Sequence, residues 1–211
     1  MAYKGKKRQP EPVRAEAAGV DWLIMGLAVA GVLVAGYLAW LKWAQRGAVL
    51  CTAGTGCDLV QASRYSTFLG VPTAFWGALL YVAIGVLSGL GLTTGRWIAA
   101  FLLAAGGVGF SAYLTTLSLF VIRGACMYCF ASGAILLALL VALLWKRPPI
   151  RGRKSPLRPI PLVSYGTLMA AATIFFGAFV FAAPSSAPAG YQSALARHLK
   201  ATGAIMYGAY W

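Results

Sequence analysis

RGACMYCFASG, running from Arg123 to Gly133, sets a Cys-x-x-Cys pair between two long apolar runs. In a soluble chain that spacing reads as redox chemistry or as half of a zinc site. Here the residues before it, Trp97–Ile122, and those from Ala125 to Trp145 are each long enough to cross about 30 Å of hydrocarbon. The pair therefore opens a membrane helix. Whatever chemistry it performs takes place at a membrane surface.

Working outward, Trp22–Leu41, Val71–Leu92 and Ile160–Ala183 are apolar runs of the same kind. Across the 211 residues, 60% are hydrophobic and only 10% charged, a balance that excludes disorder and predicts an all-α integral membrane fold. Residues 1–20 form a basic polar tail without the apolar core of a cleavable signal peptide. Four spans fall within 21–145. A charged, proline-rich linker at 146–159 separates them from a fifth span at 160–183, and 184–211 complete the chain.

The net charge of +14 suggests nucleic acid until its distribution is read. Lys4, Lys6, Lys7, Arg8 and Arg14 precede the first span, Arg96 lies between the second and third, and Lys146, Arg147, Arg151, Arg153, Lys154 and Arg158 follow the fourth. With five spans these twelve of the eighteen basic residues share one side, which the positive-inside rule makes cytoplasmic. A topogenic signal explains the charge, and no nucleic-acid partner is expected. All four cysteines then face the other side, where disulfides persist: Cys51 and Cys57 after the first span, Cys126 and Cys129 at the fourth. That far side belongs to a plasma or inner membrane, or to an internal energy-transducing one.

The outer loop is long for a structureless connection and invites a functional reading. Gly54 and Gly56 free the backbone between Cys51 and Cys57. Asp58 and Gln61 resemble a capping pair, which predicts a short helix from about Leu59 to Phe68, and Pro72 suits the first turn of the second span. Trp22, Trp40, Trp43, Trp97 and Trp145 read as interfacial anchors, and Gly85, Gly89, Gly106, Gly107 and Gly109 as close-packing positions.

Other catalytic parts are scarce. The acids Glu11, Glu16, Asp21 and Asp58 all lie outside the middle of a span, which counts against ion-coupled transport. His198 is the lone histidine and reads as a surface residue, which excludes bis-histidine haem. The cysteines remain, with three readings: two structural disulfides, one zinc site, or an exchanging relay. Bridges as short as these stabilise by roughly 2 kcal/mol, against about 4 for one closing some 70 residues. Zinc requires four protected thiolates on a face where oxidation competes. The relay fits better. Cys126 falls in the first turn of a helix, where free N–H groups favour a thiolate, and Cys129 shares its face one turn deeper. A dithiol that closes to a disulfide gives up two electrons, and a lipid-soluble quinone is an acceptor available at that depth.

CTAGTGCDLVQAS, from Cys51 to Ser63, followed by CMYCFASG at a helix start, resembles the vitamin K epoxide reductase family in its bacterial quinone-linked, disulfide-forming branch. The resemblance covers roughly Asp21 to Trp145. It implies a four-helix bundle around a quinone of the ubiquinone, plastoquinone or menaquinone/phylloquinone type. Cys129 would be the quinone-facing thiol, Cys126 would form an interloop disulfide with Cys57, and Cys51 would receive electrons from a thioredoxin-like partner that oxidises secreted proteins. Ser63 would sit near the ring. Phe75 and Trp76, near the outer end of the second span, read either as facing the ring or as interfacial anchors. One departure stands out. Gly133 occupies the position where animal members carry a tyrosine, which favours quinone reduction over epoxide reduction.

The expected activity is that of a quinone-dependent thiol–disulfide oxidoreductase making disulfides outside the cytoplasm. Its rivals are a non-catalytic membrane scaffold with two structural disulfides and a conduit carrying reductant outward. ATGAIMYGAYW at the end of the chain resembles the opening strand of a thioredoxin-like domain, so a fused redox partner beyond Trp211 is expected.

Overall fold

An uninterrupted apolar segment in hydrocarbon must satisfy its backbone N–H and C=O groups internally, and a helix does this locally. The computed structural model describes residues 20–44, 57–148, 159–182, 198–199 and 201–202. The N-terminal tail, the loop segment containing Cys51, most of the linker and most of 184–211 lie outside the described residues.

The main helices are α1 (Trp22–Trp43), α3 (Thr73–Gly89), α4 (Thr94–Thr116), α5 (Met127–Trp145) and α6 (Pro159–Ala182). Between α1 and α3 lie a short α2 (Cys57–Ala62), a 3-10 turn at Arg64–Ser66, and the antiparallel strands β1 (Thr67–Phe68) and β2 (Val71–Pro72). α1 packs against α3 and α5, and α4 packs against the same two, closing a four-helix bundle. α6 lies along α4.

The bundle is apolar outside as well as inside. Leu33, Phe120, Trp145 and Phe175 are among the large hydrophobic side chains left exposed. A surface of that kind suits lipid and not water. α1, α5, α6 and α4 with its continuation are each long and apolar enough to cross a membrane. α3 has 17 residues, or about 26 Å, the short end of what spans. The protein is an all-α integral membrane protein.

Close contact between helices is set by glycine. A Cβ at Gly109 would lie 2.8 Å from Ala170 of α6, and one at Gly106 would lie 3.2 Å from Thr173. At Gly31 of α1 it would come within 2.3 Å of the Tyr81 ring, which is fully buried. Asp21 caps α1 by accepting from the Leu23 N–H, and its other carboxylate oxygen pairs with Lys146 at 3.1 Å. The start of α1 and the end of α5 therefore share one end of the bundle. α2, the hairpin and the Cys-x-x-Cys occupy the other.

Three expectations are corrected. Trp97 is fully buried, donates its indole N–H to the Leu143 carbonyl at 2.9 Å and stacks on Phe101, so it is a core residue and not an interfacial anchor. The predicted helix over Leu59–Phe68 ends at Ala62. The chain there turns through the left-handed conformations of Leu69 and Gly70 into a hairpin that returns it to α3. The second span is shorter than Val71–Leu92, because its first residues pair as β2 and a positive φ at Gly91 begins the next turn.

Candidate redox site

α4 does not run straight into its loop. Leu117–Ile122 widen into a π-turn, Arg123 takes a left-handed conformation, and the Gly124 N–H closes onto the Ser118 carbonyl at 3.0 Å. The Ser118 hydroxyl donates in return to the Gly124 carbonyl. This double clasp turns the chain back, so that Cys126 becomes the N-cap of α5, one position earlier than the expected first turn. Its sulfur accepts from the Cys129 N–H at 3.4 Å. π-turns occur preferentially at functional sites.

On the facing side, α2 begins at Cys57, which is 3% exposed, and Cys126 is 2% exposed. Cys126 stands between the other two described cysteines. Its thiol lies within interaction reach of both the Cys57 and the Cys129 side chains. The hydrogen bond to Cys129, followed by burial, pushes the Cys126 thiol well above its ordinary range, which outweighs the helix N-terminus that alone would favour a thiolate. Cys126 lies just before the membrane-spanning part of α5.

Beneath the cluster is a cavity of about 340 Å³, bordered by Cys126 and Cys129. That volume lies within the roughly 300–1,000 Å³ typical of small-molecule sites. Leu80, Trp76, Phe110 and Leu136 supply apolar wall, and Ser111 and Thr115 of α4 with Ser118 of the π-turn bring hydroxyls to it. Tyr81 crosses the bundle to α5, where its hydroxyl donates to the Ser132 carbonyl at 2.8 Å and lies 2.9 Å from the Ser132 hydroxyl.

The vitamin K epoxide reductase family model matches residues 22–144, more than half of the chain. The chain belongs to that family. It is a membrane oxidoreductase, and the matched region takes in α1 to α5 with the cysteine cluster.

Set against the expectations for this family, the candidate residues separate. Cys57, Cys126 and Cys129 come together, and Cys51 lies outside the described residues. Trp76 borders the cavity and anchors the hairpin by donating its indole N–H to the Phe68 carbonyl at 3.2 Å. Ser63 and Phe75 are not among the bordering residues. The Ser63 hydroxyl turns back to the Val60 carbonyl at 2.7 Å, and Ser66 takes the place at the wall. Phe75 packs its ring on Trp43 of α1, 5.6 Å between centroids. Helical geometry accounts for this. Thr73, Trp76, Gly77, Leu80 and Tyr81 recur at three- and four-residue spacing on the cavity face, and Phe75 falls off it. At Gly133 a Cβ would meet the Ser111 hydroxyl at 2.9 Å, so the helices close where a larger residue would stand.

Reading by sequence missed Tyr81, Ser111 and Thr115. The hydroxyls at i, i+4 and i+7 from Ser111, namely Ser111, Thr115 and Ser118, were the available signal. It also missed α6, which contributes Thr173 and Phe176 to the wall.

Proposed function

We propose that this protein oxidises the dithiol of a thioredoxin-like partner and passes the electrons to a membrane quinone, so that disulfides form outside the cytoplasm. The observation that carries this reading is the Cys126 sulfur, held between Cys57 of the loop and Cys129 at the edge of an apolar cavity.

The partner's thiolate attacks Cys51 of a Cys51–Cys57 disulfide. Resolution of the mixed disulfide leaves the partner oxidised and Cys51 and Cys57 reduced. The Cys57 thiolate then attacks Cys126 of the Cys126–Cys129 disulfide, forming a Cys57–Cys126 bond and releasing Cys129. Attack by Cys51 on Cys57 restores the loop disulfide and frees Cys126. Each exchange moves two electrons without net loss of a bond. Cys126 and Cys129 are then a dithiol again. The quinone supplies a two-electron, two-proton acceptor, and closure of the Cys126–Cys129 disulfide provides both.

The residues present suit such an acceptor. A flat ring fits a cavity of this size, the wall is largely apolar, and the Ser111 and Thr115 hydroxyls with the Gln61 amide offer donors to carbonyl oxygens. Charge supports the orientation. Arg96 and Lys146 lie at the end of the bundle away from the cysteines, so the cysteine end would be extracytoplasmic and the N-terminus cytoplasmic.

Purified protein in lipid, mixed with a quinone and a small reduced dithiol, should reduce the quinone, followed by its absorbance. Cys129→Ala should abolish turnover. Cys51→Ala should spare small dithiols that attack Cys126 directly and block a thioredoxin-like protein. Equal behaviour of the two variants with small dithiols would refute the order of transfer.

A further inference from the structure

The helix after the matched family region does more than pass beside the bundle. Phe68, buried at the tip of β1, forms part of the roof of the cavity. Two of the rings that seat it come from the bundle, Phe110 at 5.7 Å and Trp76 at 6.4 Å, and two come from α6, Phe181 at 5.6 Å and Phe176 at 5.8 Å. All four contacts are edge-to-face, the favourable geometry for aromatic pairs. Phe181 also meets Tyr65 of the roof at 5.2 Å. α6 cannot drift from this position easily. A Cβ at Gly177 would lie 2.9 Å from Phe110, and the Thr173 hydroxyl is shared between the Gly106 carbonyl of α4 at 3.1 Å and the Ala170 carbonyl of its own helix at 2.9 Å.

We propose that α6 is a working part of the quinone site: through Phe176 and Phe181 it holds the Phe68 roof over the cavity and thereby sets affinity for the quinone. The proposal rests on the quinone reading above for its kinetic consequence, but the latch itself does not. Phe181 acts through Phe68 and Tyr65 and is a positioning residue. Phe176 also borders the cavity. The redox chemistry runs through the cysteines, so loosening the roof should weaken quinone binding and leave thiol exchange intact.

Two measurements on the full-length protein in lipid test this. In Phe181→Leu and Phe176→Leu, KM for the quinone should rise by about 2- to 10-fold, the range for losing one such aromatic pair. kcat at saturating quinone and KM for the dithiol should stay at wild-type values. Phe179→Leu, which alters an exposed ring on the same helix, should change nothing. Hydrogen exchange over residues 65–72 needs no quinone and should be faster in the Phe181 and Phe176 variants than in wild type. Phe176 is about half exposed, so its replacement leaves a folded variant even where loss of buried Phe181 does not. Unchanged exchange in Phe176→Leu and in folded Phe181→Leu overturns the latch, as does faster exchange with an unchanged quinone KM. Faster exchange in a protein whose wild type reduces no quinone upholds the latch and removes the proposed function instead.

Discussion

Gly31→Ala adds one methyl group at the tightest contact in the bundle. The new Cβ would stand 2.3 Å from two atoms of the Tyr81 ring and 2.6 Å from a third, whereas carbon atoms in contact sit about 3.5–4.0 Å apart. The ring borders the cavity but is restrained from moving into it. It is fully buried, and its hydroxyl is tied to Ser132 on α5. Either α1 and α3 separate or the ring is driven into the cavity with loss of that tie. Overpacking costs about 1–3 kcal/mol, and giving up the buried hydrogen bond adds about 1 kcal/mol. The expected destabilisation is about 2–4 kcal/mol. Gly26→Ala and Gly36→Ala on the same helix provide the controls, because nothing lies within 4 Å of either new Cβ. They should be neutral or stabilising by up to about 1 kcal/mol through helix propensity. Denaturant unfolding in mixed micelles, followed by circular dichroism, measures all three. Tyr81→Leu in the Gly31→Ala background should recover part of the loss. A Gly31→Ala protein as stable as Gly36→Ala would refute the reasoning.

Trp97→Phe should cost about 2 kcal/mol in the same assay, combining a lost buried hydrogen bond to Leu143 with the space the indole leaves. An anchor at the lipid surface would tolerate the change. In a background lacking Cys51 and Cys57, Cys126 should stay protonated where an ordinary thiol, at 9.0, is half ionised. Cys129→Ala removes the largest cause and should lower the pH at which Cys126 ionises, read as thiolate absorbance. A Cys126 thiolate already formed below that pH contradicts the hydrogen-bonded cluster. Lys146→Met should change stability by no more than about 1 kcal/mol, because its partner Asp21 pairs with it near the surface.

The helices were legible because hydrocarbon leaves an apolar run few alternatives, and the shared end of Cys57, Cys126 and Cys129 agrees with the count of spans. Which face each residue presents was harder to read. Phe75 and Trp76 are adjacent aromatics of similar bulk, and only the register of α3 against its neighbours sends one to Trp43 and the other to the cavity. Trp97 looked like an interfacial residue because it begins an apolar run. Its depth comes from the packing of α5 over it. The π-turn at Leu117–Ile122 has no signature in its own residues, since the bonds that close it run between Ser118 and Gly124, beyond the turn itself. By sequence α6 stands apart from the four-span unit, beyond a charged linker. Linker composition says where a unit ends along the chain and nothing about where the next helix packs, so the contacts of Phe176 and Phe181 with Phe68 were not legible.

The account stands most directly on the passage of electrons from Cys57 to Cys126, and that step leaves a covalent trace. Cys129→Ala removes the thiol that would release Cys126, and Cys51→Ala removes the one that would release Cys57. Each variant, purified under oxidising conditions, alkylated and digested for mass spectrometry without reduction, should contain a peptide pair joined between Cys57 and Cys126. Finding that bridge in neither variant, with Cys57 and Cys126 both recovered as alkylated thiols, would contradict the relay.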